Sequence, residues 1–167
     1  MVIKMNTQER KEGRARADNV HRKVGHAIRV MESSFKRRFM QDGIEAGLDE
    51  VTIVHGWILG YLHCNERTEK KEIYQKTIES EFSMGRSTVT TVVQLLEKKG
   101  YIMREAVPWD ARLKKIVLTD LGRETAIKSK RTLDKIEECM LWNISPEELE
   151  CFYGVADKIA ENLNPKD

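Results

Sequence analysis

The chain has 167 residues, of which 40% are hydrophobic and 34% are charged, and its mean hydropathy is −0.54. This length suits one domain with a core of its own, and the lack of any long apolar run argues against a membrane-spanning helix or a signal peptide. The three cysteines are isolated and odd in number, as in proteins of a reducing compartment, so we expect a cytoplasmic protein.

The net charge of +2 is small, but the charge is distributed unevenly along the chain. Residues 1–42 carry eleven lysines and arginines against five acidic residues, a net +6. Residues 86–115 carry seven against three, a net +4, and residues 145–167 carry two against six, a net −4. A polyanion responds to local patches rather than to the total charge, so both basic stretches keep nucleic acid among the candidate partners.

The first predicted helix follows a polar, basic arm. Residues 1–17 are interpreted as a solvated tail, with the first turns of a helix as the alternative. From Asp18 the chain reads as a helix until Gly43 and Gly47 interrupt it. Its apolar residues recur at steps of three and four and form one stripe: Val20, Val24, Ala27, Ile28, Met31, Phe35 and Phe39.

The second predicted helix runs from about Thr52 to His63 and is apolar nearly all round, so it is expected to be central. Gly56 and Gly60 lie four residues apart on one of its faces. They either admit another helix closely or simply lower the stability of their own helix.

Two shorter helices separated by a tight break are predicted next. The first spans Lys70 to about Phe82, the break is Ser83-Met84-Gly85, and the second spans Arg86 to Lys99. Gly100 then occupies the position where a left-handed residue commonly ends a helix. Two consecutive helices joined in this way are typical of a helix-turn-helix.

A β-hairpin is predicted after this pair, because the apolar period changes. Its strands are Tyr101–Glu105 and Lys114–Leu118, and a loop covers Ala106–Leu113. A helix over about Asp120 to Trp142 is expected to be capped by Thr119.

The last predicted helix starts at Ser145-Pro146, where Ser caps, Pro takes the first helical position and Glu148 closes a capping box. The whole order predicts a mainly α protein with a small β-hairpin wing, a winged helix-turn-helix. We expect an arm and dimerisation helix over 1–50, a DNA-binding lobe over 51–120 and C-terminal dimerisation helices over 121–167.

The helix from Arg86 is the candidate reader of DNA bases. Small hydroxyl side chains let a helix lie deep in the major groove, Thr methyls can touch thymine methyls, and Gln can pair with adenine through two hydrogen bonds. An ordinary amphipathic helix with a threonine-rich surface is about as good an interpretation of this segment alone. The candidate contacts are Arg86, Ser87, Thr88, Thr90, Thr91 and Gln94.

The hairpin is the second candidate contact. Arg112 at its tip is suited to the minor groove, where narrowing raises the negative potential. Asp110 is expected to orient the guanidinium through a bidentate pair, and Lys114 adds charge; a solvated charged loop is the alternative. Trp109 is expected to pack on the backbone of the wing beside Pro108, and contact with a sugar of DNA is the alternative.

The segment Phe82–Val89, followed by Leu95-Leu96-Glu97-Lys98-Lys99-Gly100-Tyr101-Ile102, resembles the helix-turn-helix of the multiple-antibiotic-resistance repressor (MarR) family. The Asp110-Ala111-Arg112 tip and the Leu118-Thr119-Asp120-Leu121-Gly122 exit are similar to the wing of that family at the same spacing. No one of these motifs is unique to the family, but their ordered series is hard to obtain otherwise. The similarity is good from about Ile73 to Gly122 and weak before Thr52.

The resemblance implies a homodimeric regulator of transcription, a repressor, whose first and last helices interleave between subunits on a pseudo-palindromic operator in double-stranded DNA. The wide apolar stripes at both ends of the chain agree with this, although they could instead cover each other within one chain. The resemblance also implies a small aromatic effector, bound between the DNA-binding lobe and the dimer helices. The candidate lining residues are Met31, Phe35, His55, Trp57 and Tyr61, for which plain core is the more common role.

Two features of this chain differ from what is common in that family. A basic residue often stands in the family where this chain has Thr91 or Gln94, which leaves the operator sequence open. The cysteine near the N-terminus with which some members sense oxidants is missing, so Cys64, Cys139 and Cys151 are interpreted as buried structural thiols.

The rival functions are a winged-helix module that binds protein without DNA and a small enzyme or metal sensor. The basic wing and the hydroxyl-rich helix argue against the first. No zinc-ligand spacing and no catalytic triad emerge from the sequence, so we expect neither an enzyme nor a cofactor.

Overall fold

The computed structural model describes residues 23–48, 50–68 and 71–164. Within these ranges, six helices and one hairpin follow in chain order. They are α1 (Val24–Glu45), α2 (Ile53–Arg67), α3 (Gln75–Glu81), α4 (Arg86–Lys98), β1 (Ile102–Val107), β2 (Asp110–Leu118), α5 (Asp120–Met140) and α6 (Pro146–Leu163). The prediction of a mainly helical winged helix-turn-helix is confirmed.

The winged helix-turn-helix lobe has one core, in which α2, α3, α4, the two strands and the start of α5 meet. Its fully buried members include Ile58, Leu59, Ile78, Val89 and Leu96. A second, smaller cluster surrounds Phe39 of α1 and Ile136 of α5. The long helix α5 therefore joins the lobe to α1, and α2 crosses it closely: a Cβ added at Gly56 would lie 3.3 Å from Cβ of Ser129. Gly60 meets nothing within 4 Å.

Several helix ends form as the sequence indicates. Lys99 caps α4, and Gly100 follows with φ +75°. The backbone N–H of Tyr101 donates to the carbonyl of Leu96 at 3.0 Å and that of Gly100 to Glu97 at 2.9 Å, which is a Schellman motif. Ser145 and Glu148 form the predicted capping box at the start of α6.

Two predicted boundaries in the lobe are wrong. The helix predicted from Lys70 begins only at Gln75, because the carbonyl of Ile73 accepts a hydrogen bond from the backbone N–H of Ile116 in β2 at 2.7 Å, which ties Ile73 to the wing. The predicted loop over 106–113 is mostly strand, and only Pro108 and Trp109 form the turn between the paired Val107 and Asp110.

The predicted ends of three helices also shift. Gly43 does not break α1 but lies buried inside it, where an added Cβ would be 3.6 Å from Cβ of Leu48. Gly47, with φ +71°, follows the C-cap residue Ala46 at the end of the helix. Helix α2 continues to Arg67, and α5 ends at Met140. The arm over residues 1–17 lies outside the described residues. In the described ranges, no helix combines the length and apolarity needed to cross a bilayer.

The interpretation of the cysteines as buried thiols is wrong for the single chain, because Cys64, Cys139 and Cys151 are all exposed. Cys139 lies one turn after Ile136, where α5 leaves the core, and Cys151 lies on α6. Helix α6 buries none of its described residues against the rest of the chain, so the two terminal stripes do not cover each other.

Candidate nucleic-acid interface

The helix-turn-helix is held at its turn by backbone geometry. Ser83 adopts φ 49°, and the backbone N–H of Met84 donates to the carbonyl of Glu79 at 3.0 Å. Gly85 then precedes α4 without any side-chain cap on the N-terminus of this described helix. The first N–H groups of α4 thus remain available to an anion such as a DNA phosphate.

One face of α4 is free of the core. Val89, Val93 and Leu96 are buried against the lobe, and the opposite face is exposed to solvent. Thr91 donates its hydroxyl to the carbonyl of Ser87 at 3.1 Å, so its lone pairs and methyl group remain for other contacts. The exposed members of the predicted set are Arg86, Ser87, Thr88, Thr91 and Gln94.

Thr90 differs from the other hydroxyl residues of α4, because its side chain already has two partners. It accepts a hydrogen bond from Nε2 of Gln75 at 2.8 Å and donates to the carbonyl of Arg86 at 2.8 Å. Gln75 begins α3, so this contact ties the two helices of the helix-turn-helix together. The sequence analysis missed Gln75, since a polar residue fifteen positions upstream gives no local signal of the contact.

Arg112 extends from the wing into solvent. Its side chain is 92% exposed, and its Nε lies 3.3 Å from Oδ1 of Asp110. The same carboxylate oxygen accepts the backbone N–H of Arg112 at 2.9 Å. Asp110 therefore contacts Arg112 as predicted, but the bidentate geometry is wrong, because one oxygen serves both the backbone and the guanidinium.

The other cations of the wing are arranged differently. Lys114 is exposed, whereas the side chain of Lys115 is 30% exposed and lies 3.2 Å from the carboxylate of Glu105. Trp109 is 66% exposed, so the predicted packing on the wing covers at most a third of its surface.

An ion pair fixes the wing relative to α4. Arg104 of β1 donates to the carboxylate of Glu97 near the end of α4. This hydrogen bond lowers the pKa of Glu97 and raises the pKa of Arg104, so both groups stay charged near neutral pH. This pair therefore links the wing to α4 in addition to the core that they share.

The candidate effector residues lie in three places. Met31 and Phe35 line a groove between α1, α5 and α6 with a volume of about 710 Å³. Trp57 stacks on Phe35 with ring centroids 6.1 Å apart, and Tyr61 packs edge-on against Phe82 in the lobe at 5.7 Å. His55 is buried in a capping box with Thr52 at the start of α2.

The groove itself is apolar and follows the two terminal stripes. Besides Met31 and Phe35 it is lined by residues of α5 and α6, among them Ile136, Met140, Leu149 and Phe152. Across the described ranges, no group of three His, Cys, Asp or Glu side chains is placed to hold a metal ion.

Comparison with known proteins agrees with this architecture. The family model described as "MarR family" matches residues 68–114, which include α3, α4 and most of the wing. A Bacillus subtilis (strain 168) protein named an uncharacterized HTH-type transcriptional regulator, YdgJ, is 32% identical over 93 residues. The match covers 56% of this chain and 57% of that relative, so the chain spans little more than half of its length.

The fold is shared with solved structures at lower identity. The Staphylococcus aureus MepR–DNA complex has a TM-score of 0.73 at 23% identity over 84% of this chain and 96% of that one. The transcription regulator MarR from Oenococcus oeni has a TM-score of 0.66 at 24% identity over 83% and 99% of the two chains. The family match covers the helix-turn-helix and most of the wing, where the ordered motifs from Phe82 to Gly122 also lie, so this part of the chain is similar to the MarR family.

Proposed function

We propose that this protein is a cytoplasmic, non-enzymatic transcription regulator that binds double-stranded DNA as a homodimer on a pseudo-palindromic operator and acts as a repressor. The observation that carries the proposal is that α4 and the wing share one core, while one face of α4 and the side chain of Arg112 are exposed. In a winged helix-turn-helix the helix enters the major groove and the wing reaches the adjacent minor groove. Arg86, Arg112 and Lys114 carry the positive charge that the phosphates require.

The roles of the α4 residues follow from their contacts. Ser87, Thr88, Thr91 and Gln94 are the base-contacting candidates because their side chains face solvent. Thr90 acts as a positioning residue, since Gln75 holds its hydroxyl. Similarly, Asp110 positions Arg112 and does not touch DNA itself.

Dimerisation is assigned to α1 and α6. Helix α6 buries none of its described residues within the chain, and the groove of about 710 Å³ beside it is apolar. Burying apolar surface is the main drive of association, and a second copy supplies matching stripes by symmetry.

The effector is proposed for the Phe35–Trp57 pair, where an aromatic ring could extend the stack between α1 and α2. Tyr61 and His55 have partners of their own and do not join this site. Quenching of tryptophan emission by benzoate as a probe, lost in Phe35→Ala, tests this part of the function.

Binding to DNA is tested by selecting duplexes from a random pool with the intact protein and measuring the affinity of the selected duplex against salt concentration. Two wings and two helix N-termini neutralise on the order of five or more phosphates, and the log–log slope is of comparable size. Selection of no common sequence, together with a flat salt response, contradicts the proposed function.

A further inference from the structure

The tip of the wing carries a large exposed aromatic side chain. Pro108 and Trp109 form the turn between Val107 and Asp110, and the indole is 66% exposed. Leaving this much apolar surface in water costs free energy relative to a covered position. A partner that covers the indole is therefore favoured.

The described chain offers little surface to cover this side chain. The middle of β1, from Met103 to Ala106, is exposed. Among the described residues, β1 and β2 form a two-stranded sheet in which β1 pairs with β2 alone. The tip thus extends outward as a ribbon with the exposed indole at its end.

The neighbours of Trp109 indicate which partner that is. Arg112 follows three residues later, so the two Cα atoms lie within about 10 Å of each other. This upper bound corresponds to about three base-pair steps of duplex DNA, so both side chains can reach the same short stretch of a groove. Lys114 adds a second exposed cation on the same strand, so the surroundings of the indole suit a polyanion rather than an apolar protein surface.

We propose that Trp109 enters the minor groove beside Arg112 as an apolar wedge and makes the affinity depend on how easily the DNA under the wing deforms. The inference rests on the proposed function and adds a residue whose binding depends on the shape and deformability of the DNA. Apolar side chains in the minor groove partly unstack a base step, and this costs least at flexible TA and CA/TG steps. The guanidinium of Arg112 supplies the attraction that holds the wing in place while the indole selects the step.

The test uses the intact protein and a duplex that it has selected from a random pool. Hydroxyl-radical footprints of the wild type and of Arg112→Ala locate the base steps under the wing. Two duplexes then differ only there, with a TA step in one and G·C-rich steps in the other. Wild type is expected to prefer the TA duplex by about tenfold.

The variants separate shape reading from general affinity. Trp109→Ala is expected to reduce the preference to about twofold or less, whereas Trp109→Phe keeps part of it because a smaller aromatic ring remains. Met103→Ala removes another exposed apolar side chain of the same wing and is expected to leave the preference unchanged. An unchanged preference in Trp109→Ala overturns the inference.

Acrylamide quenching gives a second readout. The part of the tryptophan emission that is missing in Trp109→Phe is expected to become protected when the duplex binds. An indole that stays accessible in the complex faces away from DNA and overturns the inference, leaving a protein partner for the tip. In either case specific, salt-sensitive binding by the wild type sustains the proposed function, and its absence overturns both.

Discussion

Arg112 and Lys115 lie on the same strand and carry the same charge, but their surroundings give them different uses. Lys115 is paired with Glu105 and is mostly covered, so its charge is already compensated within the wing. Arg112 touches only one oxygen of Asp110 and leaves nearly all of its guanidinium in solvent. Exposed ion pairs stabilise a fold very little, which makes Arg112 available for a ligand without cost to the core.

Arg112→Ala is expected to weaken operator binding by about 1–3 kcal/mol for each wing of the dimer. Arg112→Lys restores only part of this, because the charge remains but the planar donor fork is lost. Asp110→Ala is expected to lower the affinity for the operator less than Arg112→Ala does, because Asp110 only positions the guanidinium. Filter binding measures the affinities, and thermal melting verifies that each variant is folded.

Lys115→Ala serves as the matched control, since it removes a cation from the same strand. It is expected to cost less than Arg112→Ala because its charge is already paired. If Arg112→Ala binds the operator as tightly as wild type while folded, the wing is not a reader and recognition rests on α4 alone.

His55 links the stability of α2 to pH. The pKa of His55 is lowered, mainly by burial and further by the positive charge of Lys99. A hydrogen bond with the backbone of Glu50 raises the pKa but does not outweigh these two effects. The neutral ring accepts the N–H of Thr52 at its Nδ1, 3.2 Å away, and protonation removes that acceptor.

Because the folded pKa of His55 lies below its unfolded value of about 6.5, its contribution to stability is present above that value and is lost as the pH falls below it. Urea unfolding between pH 8 and pH 5.5 measures the effect. His55→Gln keeps a capping box without a titrating ring and is expected to flatten this part of the profile. Equal pH dependence in wild type and His55→Gln contradicts the assignment.

The junction between the wing and α5 shows how elements are fixed to one another. Thr119 caps α5 through Gly122 at 3.0 Å and donates its hydroxyl to the carbonyl of Gly100 at 2.6 Å. Its backbone N–H also donates to Tyr101 at 3.1 Å. The end of α4, the end of the hairpin and the start of α5 therefore meet at one hydroxyl group.

Gly122→Ala is expected to destabilise the protein by about 3 kcal/mol or more, because the added Cβ would lie 1.9 Å from the carbonyl oxygen of Tyr101. The clashing atom belongs to the backbone of Tyr101, which cannot move aside as the end of a flexible side chain can. Chemical unfolding measures the change.

Gly60→Ala is the matched control, since it adds the same methyl group to a helical glycine with nothing within 4 Å. It is expected to raise stability by about 0.5–1 kcal/mol. Similar effects at both glycines would show that the close approach at Gly122 is not the cause.

The elements that the sequence predicts well are those with local signals. Gly100, Thr119 and Ser145 each act within one turn of their own helix, and all three ends form as predicted. Ile73 was misplaced in a helix because its partner Ile116 lies 43 positions along the chain. The Arg104–Glu97 pair is only seven residues apart, but it joins a helix to a strand, so neither the helical nor the strand period indicates it.

The candidate site follows the same rule. Helical periodicity was enough to predict the exposed face of α4. The hairpin signal was enough to predict that Arg112 lies at the tip of the wing. The separate surroundings of Tyr61 and His55 could not be predicted in this way, because they depend on how α2 packs against distant parts of the chain.

At the scale of the whole molecule, the described chain has two parts. The winged lobe buries its core, whereas the two terminal helices leave their apolar stripes partly in solvent. The lobe buries Ile58, Leu59 and Leu96 completely. The terminal part leaves large apolar side chains of α1, α6 and the turn between α5 and α6 in solvent, including Met31, Ile144, Phe152 and Val155. A soluble monomer rarely exposes so continuous an apolar surface, and a dimer would place two α4 helices about one helical turn of DNA apart.

The intact chain is therefore expected to be a dimer at micromolar concentration, and a chain that ends before Ser145 is expected to be a monomer. Phe152→Glu tests the same surface without shortening the chain. The ring is 51% exposed in the single chain, so the substitution spares the core but places two charges in the dimer contact. Lys158→Glu puts the same charge on an exposed polar position of α6 and is expected to leave the dimer intact. Light scattering measures the mass, and operator binding should fall with the dimer because each subunit then contacts only one half-site. A monodisperse monomer for the intact chain would rule out this arrangement.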